Sequence, residues 1–260
     1  MTHATGEHTR RSARFVAWVR AWRAGLIPYD DVADEIEATE DHVFSAAADA
    51  APEQPLREGL AALSCLHPDQ VRLVLPAPGD PRGLPGPGTP FTAAALAGGE
   101  GVIAGGTGLV PEVRSHVSGS GDAFLTVIWR RYPLPPAAPA GEPPATPAEA
   151  EAELSMALAE ATTRLTLLDV AQWRPELAGA LAQLRSHDDA GELPPVFNPR
   201  ARRLYARASM LDRLLALADH AAPGGAVNSY EACQRDEALR PLLTACRRAL
   251  VAACNAPVDT

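Results

Sequence analysis

Residues Glu100–Tyr132 read EGVIAGGTGLVPEVRSHVSGSGDAFLTVIWRRY, and this stretch decides the fold class. Its apolar residues recur at period two, and the alternation is broken at GGTG and SGSGD, both rich enough in glycine to reverse the chain. The spacing predicts three strands, Glu100–Ala104, Leu109–Val117 and Ala123–Tyr132, joined as an antiparallel meander. Along the second, Leu109, Val113 and Val117 share one face while Glu112, Arg114 and His116 share the other. One side should therefore be core and the other polar. Pro111 has no N–H to give to a ladder, which predicts a bulge or a sheet edge.

Upstream, Val71, Leu73 and Leu75 alternate as a further strand, and the turn-rich PAPGDPRGLPGPGTP follows. Thr89 before Pro90 reads as the cap of a short helix that Gly98 and Gly99 end. Nearer the start, Phe15, Trp18, Val19 and Trp22 recur at i, i+3, i+4 and i+7, an amphipathic helix from Thr9 to Ala24 that Gly25 stops. A second helix should begin at Asp30 or Asp31, capped by a carboxylate, and run through Ile36 in an acidic stretch. A third should span Leu56–Leu66.

Downstream, YPLPPAAPAGEPPATP (Tyr132–Pro147) is too rich in proline for a helix or a central strand and reads as an extended linker. Thr146 and Glu149 form a capping box around Pro147, opening a helix to Trp173. Pro175–Ser186 should be another, Asn198 and Pro199 open a third, and Asn228 caps a last stretch in which Pro241 is a kink or a break. These elements predict an α+β chain in three parts. Residues 1–132 carry N-terminal helices with a small antiparallel meander sheet, 133–147 the Pro-rich linker, and 148–260 a C-terminal antiparallel bundle of about four helices.

Composition narrows function by exclusion. The chain of 260 residues is 47% hydrophobic and carries a formal net charge of -9. No run is long and apolar enough to cross a bilayer, so no membrane association is expected. All 23 basic residues are arginine, which excludes a P-loop lysine, a Schiff-base lysine and a kinase-type phosphate-pairing lysine. An acidic chain without a basic arm is a poor ligand for nucleic acid, because that surface must replace condensed cations. Cys65, Cys233, Cys246 and Cys254 form no CxxC pair and read as free thiols. The polar N-terminus has no apolar run before Phe15, so the expected location is cytoplasmic.

Several groups could carry chemistry, and each has a plainer account. GGEGVIAGGTGLVP does not complete GxGxxG, and strand follows it where a phosphate loop needs a helix, so hairpin turns account for its glycines. His116, Ser118, Ser120 and Asp122 hold the letters of a triad, but the glycines of a nucleophile elbow are missing around Ser120. Glu112, Arg114 and His116 lie two apart on one strand with Arg130 on the facing one, a row that could orient a carboxylate ligand or use His116 for proton transfer. The alternative is a solvated face with cross-strand ion pairs. The remaining histidines form no HxH or HxxxH group, so no metal and no cofactor is expected. Arg200, Arg203 and Arg207 recur at i, i+3 and i+7 beside an apolar column, a strip that could receive an acidic partner surface or be solvated or paired internally. No catalytic residue stands out.

VRLVLPAPGDPRGLPGPGTPF (71–91), GLVPEV (108–113), LYARASMLDRLLALADHAAPGGAV (204–227) and EALRPLLTACRRALVAA (237–253) together resemble a lineage-restricted family of actinobacterial proteins without an assigned reaction. The resemblance implies a non-enzymatic regulatory protein whose partner is a chromosome-partitioning ATPase of the ParA type. With or without it, a protein partner is the expected association, a homo-oligomer is left open because the sequence does not fix the oligomeric state, and a small-molecule-binding protein or enzyme built on the face around His116 is the competing expectation.

Overall fold

The computed structural model describes residues 10–38, 40–46, 52–119, 121–135, 145–167, 193–220 and 229–258. The chain divides into two units. A sheet unit takes Arg10–Pro144, Leu193–Asn198 and Cys254–Thr260, and a helical unit takes Met1–Thr9, Ala145–Glu192 and Pro199–Ala253.

In the sheet unit, α1 (Arg11–Arg23) is followed by α2 (Tyr29–Glu37), with Gly25 between them at φ 76. That angle is one an L side chain adopts at a cost, which is why glycine ends α1. No side chain caps α2. Asp30 and Asp31 lie instead inside its first turn, where their charge favours the helix dipole. Then come β1 (Asp41–Ala46), β2 (Gln54–Pro55), α3 (Leu56–Ala61), a 3-10 turn at Pro68–Gln70 and β3 (Val71–Val74). Helix α4 (Pro90–Gly98) starts where Thr89 Oγ1 accepts the Thr92 N–H at 3.0 Å and ends on Gly99 at φ 70. β4 (Gly101–Ala104), β5 (Thr107–Val117) and β6 (Ala123–Pro133) complete the unit.

The expected small antiparallel meander is overturned. The sheet has six strands in the order β2-β1-β6-β5-β4-β3 and is mixed. β4, β5 and β6 are antiparallel neighbours, but β1 lies parallel to β6, from Asp41 opposite Thr126 to Ala46 opposite Arg131. β1 follows directly on the acidic stretch that reads as helix, and its partner is far away in sequence, so no local pattern announces it. A parallel neighbour needs a long crossover, here everything between β1 and β6. Pro111 makes no bulge, since the β5–β6 register runs unbroken from Thr107 opposite Pro133 to Val117 opposite Ala123.

Both faces are packed over the sheet's centre. On one, Phe15 of α1 meets Phe44 at 6.1 Å and Trp129 at 4.5 Å between ring centres. On the other, Phe91 and Ala95 of α4 pack on Val74, Ile103 and Val110. Phe91 lies so close to Gly108 that a Cβ there would stand 2.3 Å from its ring. The free edge of β3 is closed by a side chain. Asn255 accepts the Leu73 N–H at 2.8 Å through Oδ1 and donates to the Leu73 carbonyl at 3.0 Å through Nδ2, as a neighbouring strand would.

The helical unit contains α5 (Pro147–Leu167), α6 (Pro199–His220) and α7 (Ser229–Cys254). Thr146 and Glu149 cap α5 reciprocally: Glu149 Oε2 accepts from the Thr146 N–H at 2.8 Å, and Thr146 Oγ1 from the Glu149 N–H at 3.3 Å. α6 opens directly after Asn198, and α7 continues through Pro241 without a break. Of the expected bundle of about four helices, three lie among the described residues. The helix expected at Pro175–Ser186, the cap at Asn228 and linker residues 136–144 lie outside the described residues.

Candidate functional site

The register of β5 and β6 sets the site. β4 pairs with β5 only as far as Leu109, and β1 pairs with β6 only from Thr126 onward. β5 and β6 are eleven residues each, so their distal halves run on together as a two-stranded arm. Burial follows this geometry. Val127, Ile128 and Trp129 are buried, whereas Val113, Val117 and Phe124 are 44%, 70% and 45% exposed. The sequence expectation that Val113 and Val117 continue the core face of Leu109 is thereby corrected, because α1 and the flanking strands end before the arm does. The signal was present in the lengths: an eleven-residue strand beside a four-residue one must overhang.

The polar row sits at the base and along one face of this arm. Glu112 accepts from Arg114 Nε at 2.9 Å and from Arg130 Nε at 2.8 Å, the second across the strand diagonal. Arg130, which also reaches Ser45 Oγ at 3.3 Å, is the stronger influence; with Arg114 it holds the Glu112 carboxyl below its ordinary range. His116 does not join them. Its ring stacks on Phe124 at 4.9 Å, 16° from parallel, farther out on the arm. The structure thus brings Glu112, Arg114 and Arg130 into one ion-pair group and gives His116 an aromatic neighbour instead. Ser120 lies outside the described residues, and Ser118 Oγ accepts the Asp122 N–H at 3.0 Å in the turn.

The arginine strip lies in the helical unit. Arg200 pairs with Glu151 at 3.2 Å and Arg207 donates to Ser155 Oγ at 3.1 Å, both on α5, while Arg203 is exposed. Two of the three therefore tie α6 to α5.

Sequence reasoning passed over one buried polar chain. His42 on β1 accepts the Trp129 indole N–H at 3.1 Å through Nδ1, and its Nε2 stands 3.6 Å from Glu40. Glu40 in turn takes the Arg11 Nε–H at 2.9 Å. Burial pushes the Glu40 carboxyl up, yet His42 and Arg11 together outweigh it and hold it down to about 2. The group lies under the sheet with α1 and ties β1 to β6. Its members fall at positions 11, 40, 42 and 129, with no spacing to link them. Cys246 is pushed up to about 12 by burial and Cys254 is raised by burial as well, which leaves both thiols unreactive. Among the described residues no three His, Cys, Asp or Glu side chains are grouped to hold a metal ion, and no helix is long and apolar enough to cross a membrane.

Residues 12–146 match the Rv1486c-like protein N-terminal domain, and residues 148–251 match the Rv1486c-like protein C-terminal domain. The chain belongs to the Rv1486c-like family. The stretch matching the N-terminal domain contains the arm, the Glu112 group and the His42 chain apart from Arg11, and the stretch matching the C-terminal domain contains the arginine strip. No curated protein and no solved structure matches this member of the Rv1486c-like family.

Proposed function

We propose that this chain is a cytoplasmic, non-enzymatic interaction protein that acts through its β5–β6 arm. One observation carries the reading: Val113, Val117 and Phe124 are exposed on an arm that the rest of the sheet does not flank. Val113 and Val117 lie on one face of this projecting element and Phe124, opposite His116, on the other; exposed apolar side chains cost solvation in the free protein, and a partner that covers them recovers it. The ion-pair group at the base supports the same reading, since Glu112 bridges Arg114 and Arg130 and holds the arm's polar face in one arrangement.

For the partner, the resemblance of the sequence points to a chromosome-partitioning ATPase of the ParA type, as bound by the Streptomyces protein ParJ, whose assembly the chain would regulate. The test is sedimentation of a purified ParA-type ATPase with ATP, alone, with the wild-type chain, and with a Val117→Glu/Phe124→Ser variant. The wild-type chain should change the sedimented fraction and the variant should not, with both chains giving the same circular dichroism spectrum. Equal effects from both overturn the arm as the contact, and no effect from either overturns the ATPase as the partner.

A further inference from the structure

The outer edge of β5 carries a hydrogen-bonding pattern that fits itself. Ser118 N–H bonds to the Asp122 carbonyl and Leu134 N–H to the Gly106 carbonyl, so the even-numbered residues of β5 direct their backbone groups toward β6. In an antiparallel ladder the alternate residues point the other way. Up to Leu109 these odd-numbered residues bond β4, and beyond it, among the described residues, no strand lies on that side. The outward groups are therefore the N–H and C=O of Val113, Ser115 and Val117, together with the Pro111 carbonyl. Pro111 stands where its missing N–H costs no bond to β6, which explains how proline is accepted within an eleven-residue strand. Val113, Ser115 and Val117 are all exposed.

We infer that two copies of this chain associate by antiparallel pairing of their β5 edges about Ser115. This rests on the reading of the arm as a contact surface and names a second copy as an occupant. A register centred on any residue of 113–117 places outward residues opposite outward residues, but they are not equivalent: centring on His116 or Val117 sets Val113 opposite Gly119 or Gly121, past the end of β5. Centring on Val113 sets Val117 against Leu109, whose backbone is already bonded to β4, so one outward donor per copy has no acceptor. Centring on Arg114 sets two Arg114 side chains face to face, a like-charge pair. Centring on Ser115 gives each of the three outward N–H groups an outward C=O. It also places Val113 opposite Val117 of the second copy, twice, so the exposed valines cover each other. Arg114 then faces His116 instead of a second Arg114, and Glu112, which it shares with Arg130, stays paired with it at 2.9 Å. An exposed strand edge is a template for further pairing, and a symmetric pairing consumes it in a closed dimer.

Cysteine cross-linking reads the register directly, in a Cys65→Ser/Cys233→Ser background that removes the two exposed thiols. Ser115→Cys should form a disulfide-linked dimer on mild oxidation, because opposed residues of a hydrogen-bonded pair have Cα atoms about 5.5 Å apart, within disulfide reach. Val113→Cys alone should not, since its counterpart lies four residues along, about 13 Å away. A mixture of Val113→Cys with Val117→Cys should yield the cross-linked heterodimer. Ser115→Pro deletes one outward donor and keeps every bond to β6, so by light scattering it should give the mass of one chain where the wild type gives two, with an unchanged circular dichroism spectrum. A wild-type chain that stays monomeric at high concentration, or Val113→Cys cross-linking as readily as Ser115→Cys, overturns the inference. A monomeric wild type whose arm variant still loses its effect on the ATPase would sink the dimer alone, whereas a cross-linked dimer with no arm-dependent effect would sink the ATPase contact alone.

Discussion

Replacing Arg20 should be among the most damaging single changes in the sheet unit. This α1 side chain is 1% exposed, and its Nη1 donates to the Pro68 carbonyl at 2.9 Å and the Val71 carbonyl at 3.1 Å. Its Nη2 donates to the Ala256 carbonyl at 2.8 Å, with longer contacts to Asp69 at 3.2 Å and Asn255 at 3.4 Å. Burial lowers the Arg20 pKa and Asp69 opposes that shift. Asp69 is itself 70% exposed, so the ion pair contributes little. The weight falls on the three short bonds to carbonyls. Leu at this position fills much of the volume but leaves those acceptors without a donor, at about 1–3 kcal/mol each before relaxation. Water reaching the part-buried Pro68 end recovers part of this, so Arg20→Leu should cost about 3–5 kcal/mol. With a urea dependence of about 1–3 kcal/mol per molar, the unfolding midpoint should fall by at least about 1 M. Arg20→Lys keeps the charge but cannot span three carbonyls with a single ammonium, and should fall between wild type and Arg20→Leu. A loss below about 1 kcal/mol for Arg20→Leu would show that the carbonyls find water without cost and that the staple is not structural.

Three further changes test other joints of the fold. Gly59→Ala gains about 1 kcal/mol of helix propensity but sets a Cβ 2.0 Å from the Phe44 ring, so chemical denaturation should show a net loss of about 1–2 kcal/mol that vanishes in a Phe44→Leu background. Glu40→Gln tests the buried chain by pH. The folded carboxyl is held at about 2, below its ordinary 4.5, so its contribution is complete above pH 4.5 and is lost as the pH falls from there toward 2. The substitution should therefore cost about 2–3 kcal/mol at pH 7 and almost nothing near pH 2, and an equal cost at both values would refute the assignment. Asn255→Ala removes both bonds to Leu73 and should lower stability by about 1–2 kcal/mol in the same assay; an unchanged midpoint would show that the β3 edge needs no cover.

Much of the local structure was legible because it depends on residues a few positions apart. Thr89, Gly99 and the Thr146–Glu149 box act within one helical turn, and the alternation in Glu100–Tyr132 is a property of the pleat, so helix ends and strands could be read directly. The Glu112, Arg114 and Arg130 group was readable for the same reason, being a spacing of two plus one cross-strand diagonal. What lay beyond reach depends on distant neighbours. β1 becomes a strand by pairing with β6, Arg20 is buried by carbonyls from residues 68 to 256, and Asn255 acts as a strand only beside Leu73. Alternation along β5 assigned Val113 and Val117 to one face, but whether that face is core or surface depends on how far α1, β4 and β1 extend over it. Sequence by itself sets which side chains share a side, because chirality and the pleat are local. Only the tertiary structure decides which side meets water, because burial requires a neighbour that the local chain does not supply.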